Sequence, residues 1–199
     1  MKDPQHRREI VNLGAYGFEF KHIKKIAIDK FSLPDGKNGQ WESVYGNAPT
    51  ILIVPITQKG KIVLIKLFRF PVGDWVIELP GGGFSKKDIL FDKTAERELW
   101  EKTGYGAESM EIIPKNLPPW SYSWLHTGQS NASVIFFVAS GCEKVRGPIL
   151  DPVEQYAGLE VVEKWPSEII NEIAEGKLIY DLPVSHALIM LLGKGIIKI

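Results

Sequence analysis

The chain has 199 residues, 44% hydrophobic and 24% charged, which is enough apolar material for one buried core with an appended segment. Lysine and arginine number 24, as do aspartate and glutamate, so no chain-wide positive field exists to attract nucleic acid or an anionic membrane surface. The single Cys142 excludes an internal disulfide, the polar start MKDPQHRREIVNLG lacks the apolar core of a signal peptide, and nowhere do about 18 apolar residues run together; a cytoplasmic protein without structural zinc is expected.

Residues 18–31 alternate loosely between apolar and charged side chains, LPDGKNG supplies a turn, and QWESVYG resumes a strand-like pattern. ILIVPIT is almost wholly apolar, QKGK turns, and KIVLIKLFRF alternates, which predicts a hairpin with one well-buried strand. Residues 75–79 form another short strand. PGGG is then expected to break the regular structure, because consecutive glycines permit backbone conformations and close approaches that a Cβ would block. DKTAERELWEKT, at 92–103, consists of strong helix formers and ends at Gly104, where a C-terminal cap belongs. Strands are expected near 110–113, 133–138 and 159–162, followed by two helices introduced by Pro166 and Pro183. The six tryptophans read first as packing residues.

The segment ELPGGGFSKKDILFDKTAERELWEKTGY carries the chemistry. At 100° per residue Glu98 and Glu101 lie about 60° apart on the helix, so both carboxylates can converge beside the glycine loop. Paired hard oxygens suit Mg²⁺ or Mn²⁺ better than Zn²⁺, and a divalent ion there would bridge diphosphate oxygens and acidify an attacking water. From periodicity alone the bland alternative stays open: both glutamates solvate an exposed helix face.

These residues resemble the Nudix box, G-x5-E-x7-R-E-U-x-E-E-x-G-U, where U is a bulky apolar residue. Arg97-Glu98-Leu99-Trp100-Glu101-Lys102-Thr103-Gly104-Tyr105 matches every specified position except Lys102 and, loosely, Tyr105. Gly82 stands as the opening glycine and Asp88 for the glutamate, with eight residues instead of seven before Arg97. VLIKLFRFPVGDWVIELPGG, GQSNASVIFFVA and the closing helices extend the likeness toward ADP-ribose pyrophosphatases over most of the chain.

The resemblance implies that Arg97 ties the helix to Asp88, a bidentate pair stronger than a surface bridge. It implies Glu98, Glu101 and the Gly81 backbone carbonyl as metal ligands, with Glu101 also catalytic. Lys102 replaces a second consecutive glutamate; an ammonium repels a cation, and a Glu98–Lys102 pair at i,i+4 is also an ordinary helix ion pair. Arg69 is a candidate for substrate phosphate or base, or a plain surface arginine, and Leu67 stands where the subfamily has a glutamine. Glu78 is a candidate near substrate, or else a turn-capping carboxylate. Trp41 is a candidate for stacking on adenine across a dimer, or simply packs the arm. GPILDPVEQYAG matches the flexible loop that supplies a water-activating glutamate, with Glu154 the candidate base and Asp151 in reserve, although loop carboxylates are commonly just solvated. Ala132 replaces a frequent acidic residue, and His6, His22, His126 and His186 show no functional spacing.

The implied fold is α+β, a Nudix α/β/α sandwich at 49–199 preceded by an antiparallel β arm at 1–48 that helps build a homodimer. Two functions remain open. One is a Mg²⁺- or Mn²⁺-dependent hydrolase of a small-molecule nucleotide, ADP-ribose or a nucleotide sugar. The other is a catalytically impaired nucleotide-binding protein in which Lys102 is a fixed positive charge for phosphate.

Overall fold

The computed structural model describes residues 6–16, 25–46, 48–84, 88, 90–114, 123–124 and 127–198. The expected strand onset at 18–24, Trp120, His22, His126 and part of the loop before the helix, at 85–87 and 89, lie outside the described residues. The strands begin with β1 (His6–Asn12), β2 (Lys25–Ser32), β3 (Asn38–Val44), β4 (Thr50–Thr57), β5 (Ile62–Arg69), β6 (Asp74–Glu78) and β7 (Gly81–Gly83). Helix α1 (Phe91–Thr103) follows, then β8 (Tyr105–Gly106), β9 (Ser109–Ile113), β10 (Ser123–Trp124) and β11 (Ser133–Lys144). The chain continues through α2 (Pro152–Tyr156), β12 (Glu160–Lys164), α3 (Pro166–Glu175), β13 (Ile179–Tyr180) and α4 (Leu182–Gly193).

Two compact units divide the chain, residues 1–49 with 122–134 and residues 50–121 with 135–199. In the first, β1, β2 and β3 form an antiparallel sheet in that order. Its register sets Arg8 opposite Asp29, and the guanidinium grips the carboxylate at 2.7 and 2.8 Å. Phe31 lies across Gly39, where an added Cβ would reach Cδ2 of the ring at 2.8 Å, so a side chain at 39 would have to push the ring aside. Strand β1 went unforeseen in the sequence; HRREIVN is too charged to announce itself, and pairing with β2 makes it a strand.

In the second unit the strand order is β11-β4-β5-β6-β13, with β12 on β5, β7 on β4, and β8 and β9 on β11. The β4–β5 hairpin closes where Gly60 takes φ 85 and Thr57 N–H donates to Lys61 O at 2.9 Å. Strand β13 runs parallel to β6. Ile51, Ile53, Ile62, Leu64, Leu99, Ile135 and Leu191 are fully buried, each contributing roughly 1.5–3 kcal/mol of transfer free energy. In α4, Val184, Ala187, Leu188 and Leu191 are buried at the i, i+3, i+4, i+7 spacing of one helix face. Leu67 is 4% exposed and packs with Ile65, Ala157 and Leu159, so the site that lacks a glutamine has become core.

The glycine run corrects the sequence expectation. Gly81–Gly83 does not end regular structure but pairs antiparallel with β4, Ile51 opposite Gly82 and Leu52 opposite Gly81. A Cβ on Gly81 would sit 2.7 Å from Leu52 Cδ2 and closer still to the Ile51 carbonyl oxygen, so the bare backbone is what allows the pairing. Among the described residues no helix is long and apolar enough to cross a membrane.

Candidate functional site

Helix α1 presents Thr94, Ala95, Glu98, Leu99 and Thr103 to the interior, one face of a 3.6-residue period on which Glu98 is the only ionisable member. It ends at Gly104 in the left-handed region, φ 75, where the N–H donates to Trp100 O at 2.9 Å. A Cβ on Gly104 would be 3.0 Å from the Gly147 carbonyl carbon and nearer to Arg146 O, so steric room as well as φ demands glycine there. Tyr105, at the last box position, is 5% exposed and its hydroxyl donates to Glu163 at 2.5 Å; burial and this contact push its pKa up.

Glu98 is 5% exposed, so the solvated-face alternative does not hold for it. Its carboxylate rests on Gly82: a Cβ there would lie 2.5 Å from Glu98 Cδ and 2.6 Å from Oε2. Glu98 Oε1 accepts from Arg97 Nη1 at 2.8 Å, whereas Oε2 is buried without a hydrogen-bond partner among the described residues. Burial pushes the Glu98 carboxyl up from the usual range, opposed by the charges of Arg97 and Lys102. The same Arg97 Nη1 donates to Glu101 Oε2 at 2.9 Å, so one nitrogen gathers both carboxylates expected to converge. Glu101 is more open, its side chain 38% exposed.

Arg97 also holds Asp88, through Nη2 at 3.0 Å and Nε at 3.3 Å, and Thr94 Oγ1 donates to the same carboxylate at 2.9 Å. The Arg97 hydrogen bond is the main reason Asp88 titrates below the ordinary carboxylate range. Lys102 extends along α1 to Glu98 Oε2 at 3.8 Å and ion-pairs with Glu154 from α2. Glu154 is not in a plain loop. It is the third residue of α2, accepting from Asp151 N–H at 3.1 Å while the Asp151 side chain caps the helix through Val153 and Glu154 N–H groups. The sequence D-P-V-E carries this signal, an N-cap aspartate, a proline and a glutamate at the third helical position.

Four carboxylates, from Asp88, Glu98, Glu101 and Glu154, thus surround two cations, Arg97 and Lys102. Among the described residues no group of three carboxylate, imidazole or thiolate side chains is placed to hold a metal ion, and Arg97 and Lys102 pair with the four carboxylates. The donor chemistry nevertheless fits a hard divalent ion, since Glu98 Oε2 is buried and lacks a hydrogen bond. Gly81 adds a second feature. Ile53 N–H donates to Pro80 O at 2.9 Å, and the alternation of an antiparallel ladder then leaves the Gly81 carbonyl outside the pairing with β4.

Near this cluster Arg69 grips Glu78 bidentately, Nε to Oε1 at 2.6 Å and Nη2 to Oε2. Glu78 therefore serves the guanidinium instead of a turn, and the Arg69 pKa is raised first by that hydrogen bond, with the fields of Asp181 and Glu154 adding to it. Spacing in the sequence does not announce this pair, because the β5–β6 register sets Arg69 opposite Asp74 and Glu78 opposite Ile65, and the long guanidinium side chain spans the gap between them. Trp41 belongs to the first unit, where it is 55% exposed and donates from Nε1 to Gly128 O at 2.8 Å. In the same unit Ala132 N–H donates to Ser130 Oγ at 2.9 Å. His186 rests against Phe136, ring centroids 5.5 Å apart.

Comparison with known proteins bears on what such a cluster does. The family model described as NUDIX domain matches residues 46–167. The methanol dehydrogenase activator of Bacillus methanolicus is 28% identical over 160 residues, 80% of each chain. The ADP-ribose pyrophosphatase of Bacillus subtilis is 34% identical over 88 residues, 44% of this chain and 46% of that one. The ADP-sugar pyrophosphatase of Mus musculus is 33% identical over 91 residues, 41% of each. The match thus spans less than half the length of either pyrophosphatase. A solved structure described as an ADP compounds hydrolase superposes with a TM-score of 0.71 at 16% identity, covering 99% of this chain and 98% of that one, a likeness of fold.

Proposed function

Because the chain belongs to the Nudix family, we propose that it hydrolyses the diphosphate linkage of ADP-ribose or a related nucleotide sugar with the help of Mg²⁺ or Mn²⁺. The observation that carries this reading is the Glu98 carboxylate, buried against Gly82 with Oε2 lacking a hydrogen bond among the described residues, in a strand–glycine–helix setting. The pyrophosphatase names of two relatives support the substrate class. Glu98, Glu101 and the Gly81 carbonyl would hold the ion, which when bound neutralises diphosphate charge and acidifies water.

In this reading Arg69, fixed by Glu78 and with its side chain 48% exposed, offers positive charge to a substrate phosphate. Glu154 takes the proton of the attacking water as the water oxygen bonds to phosphorus and the bridging P–O bond breaks, and the leaving phosphate carries the electron pair away. Lys102 holds Glu154 in place until then. Arg97 keeps the helix and Asp88 in register. The reading also includes a cytoplasmic homodimer joined through residues 1–48, supported by the exposed Ile10 and Trp41 of the first sheet and by the free Cys142.

Incubation with ADP-ribose and Mg²⁺ or Mn²⁺, read by chromatography for AMP, tests the proposal, with a thermal-shift titration alongside. AMP is expected. Stabilisation by ADP-ribose without AMP would move the assignment to nucleotide binding, in which the Lys102–Glu154 pair keeps the proposed base occupied. Neither stabilisation nor AMP would reject this substrate.

A further inference from the structure

The side chains of Lys102 and Glu154 are each 16% exposed and that of Glu98 is 7% exposed, so the ammonium lies largely out of water between two carboxylates of different helices. Such a pair adds little net stability over apolar residues of similar volume, because desolvating both charges offsets most of their attraction, although separating the partners leaves a buried charge at a cost. Its position gives it another use. Glu98 Oε2, 3.8 Å from the ammonium, is within charge contact but beyond hydrogen-bond reach, and it is also the oxygen left without a hydrogen bond among the described residues. The cluster of four carboxylates and two cations carries a formal charge of minus two, which one divalent ion cancels.

Building on the metal-dependent reading above, we infer that the Lys102 ammonium is a resident monovalent cation standing in for one divalent ion between Glu98 and Glu154. The protein therefore has one divalent-ion position fewer than the same site with a carboxylate at 102. A lysine suits this role because its four-carbon stem carries a point charge across from α1 to α2, whereas the planar fork of an arginine demands paired acceptors in one plane. The ordinary alternative, in which Lys102 only fastens α2 to α1, predicts no change in metal stoichiometry.

The test is a Mn²⁺ titration of the full chain without nucleotide, with free Mn²⁺ followed by electron paramagnetic resonance. Lys102→Glu is expected to bind one Mn²⁺ more per chain than the unaltered protein, and equal numbers would overturn the inference. Should Lys102→Glu fail to fold, Lys102→Met removes the charge at similar volume; a rise of roughly tenfold or more in Mn²⁺ affinity is expected from the lost repulsion, and an unchanged affinity overturns the inference. The two proposals fail separately. One Mn²⁺ on every form leaves metal-dependent hydrolysis standing and removes the role of Lys102. No Mn²⁺ on the unaltered protein but one on Lys102→Glu keeps the role of Lys102 and removes metal binding by the nucleotide-free site from the hydrolase reading.

Discussion

Replacing Gly82 by alanine would probe the contact on which the site is built. The new Cβ would sit 2.5 Å from Glu98 Cδ, where ordinary contact begins at 3.4 Å, so the carboxylate would have to retreat by roughly 0.9 Å. It has little freedom to do so, because Glu98 is 5% exposed and Arg97 holds its Oε1 at 2.8 Å. Overpacking of this kind costs about 1–3 kcal/mol, and at about 2–4 °C per kcal/mol for a chain of this size the melting temperature should fall by about 2–12 °C. Gly83 is the internal control, as a Cβ there meets nothing within 4 Å among the described residues, and Gly83→Ala should stay within about 0.5 kcal/mol. Thermal unfolding followed by circular dichroism in EDTA reads the difference. In a Glu98→Ala background, where the obstructing carboxylate is gone, Gly82→Ala should lose most of its effect. If both alanine variants melt together, or if the Gly82→Ala penalty persists without Glu98, the carboxylate is not seated as described and the metal-site argument loses its foundation.

Three further outcomes are expected. Asp88 titrates low because Arg97 binds its ionised form, so its contribution is present above the ordinary aspartate pKa and is lost as pH falls through the depressed folded value. The acid limb of a stability–pH profile below pH about 4 should accordingly flatten in Asp88→Asn. Cys142 is buried and its thiol is pushed up to about 11, so at pH about 8 it should react with an aromatic disulfide reagent only after denaturant is added. Arg69→Lys cannot reproduce the two-point grip on Glu78 and should weaken ADP-ribose binding, measured calorimetrically, by roughly tenfold, while Lys30→Ala in the first sheet should leave it unchanged.

Residues that act within a turn or two of themselves were the legible ones. The α1 helix and its Gly104 cap follow from local propensity and φ, and the i,i+4 approach of Lys102 to Glu98 follows from helix geometry. Features made by pairing across the fold were hidden. The glycines read as a break because a strand of three glycines has no propensity of its own, and only β4 makes it one. Arg69 reaches Glu78 along the sheet although the β5–β6 register sets it opposite Asp74, a contact that no spacing rule reports. The short helix at 152–156 is hidden for a different reason: its capping signal is present in the sequence, but five residues fall below the length at which periodicity can speak.

That short helix has a consequence for how the protein behaves as a whole. Five residues cannot nucleate and sustain a helix unaided, so α2 relies on its Asp151 cap and on the grip of Lys102 upon Glu154. Whatever competes for that ammonium, an incoming phosphate included, also slackens the segment. Protease nicking between 147 and 158 would then rise with ligand, making the backbone there a natural gauge of which partner Lys102 is holding.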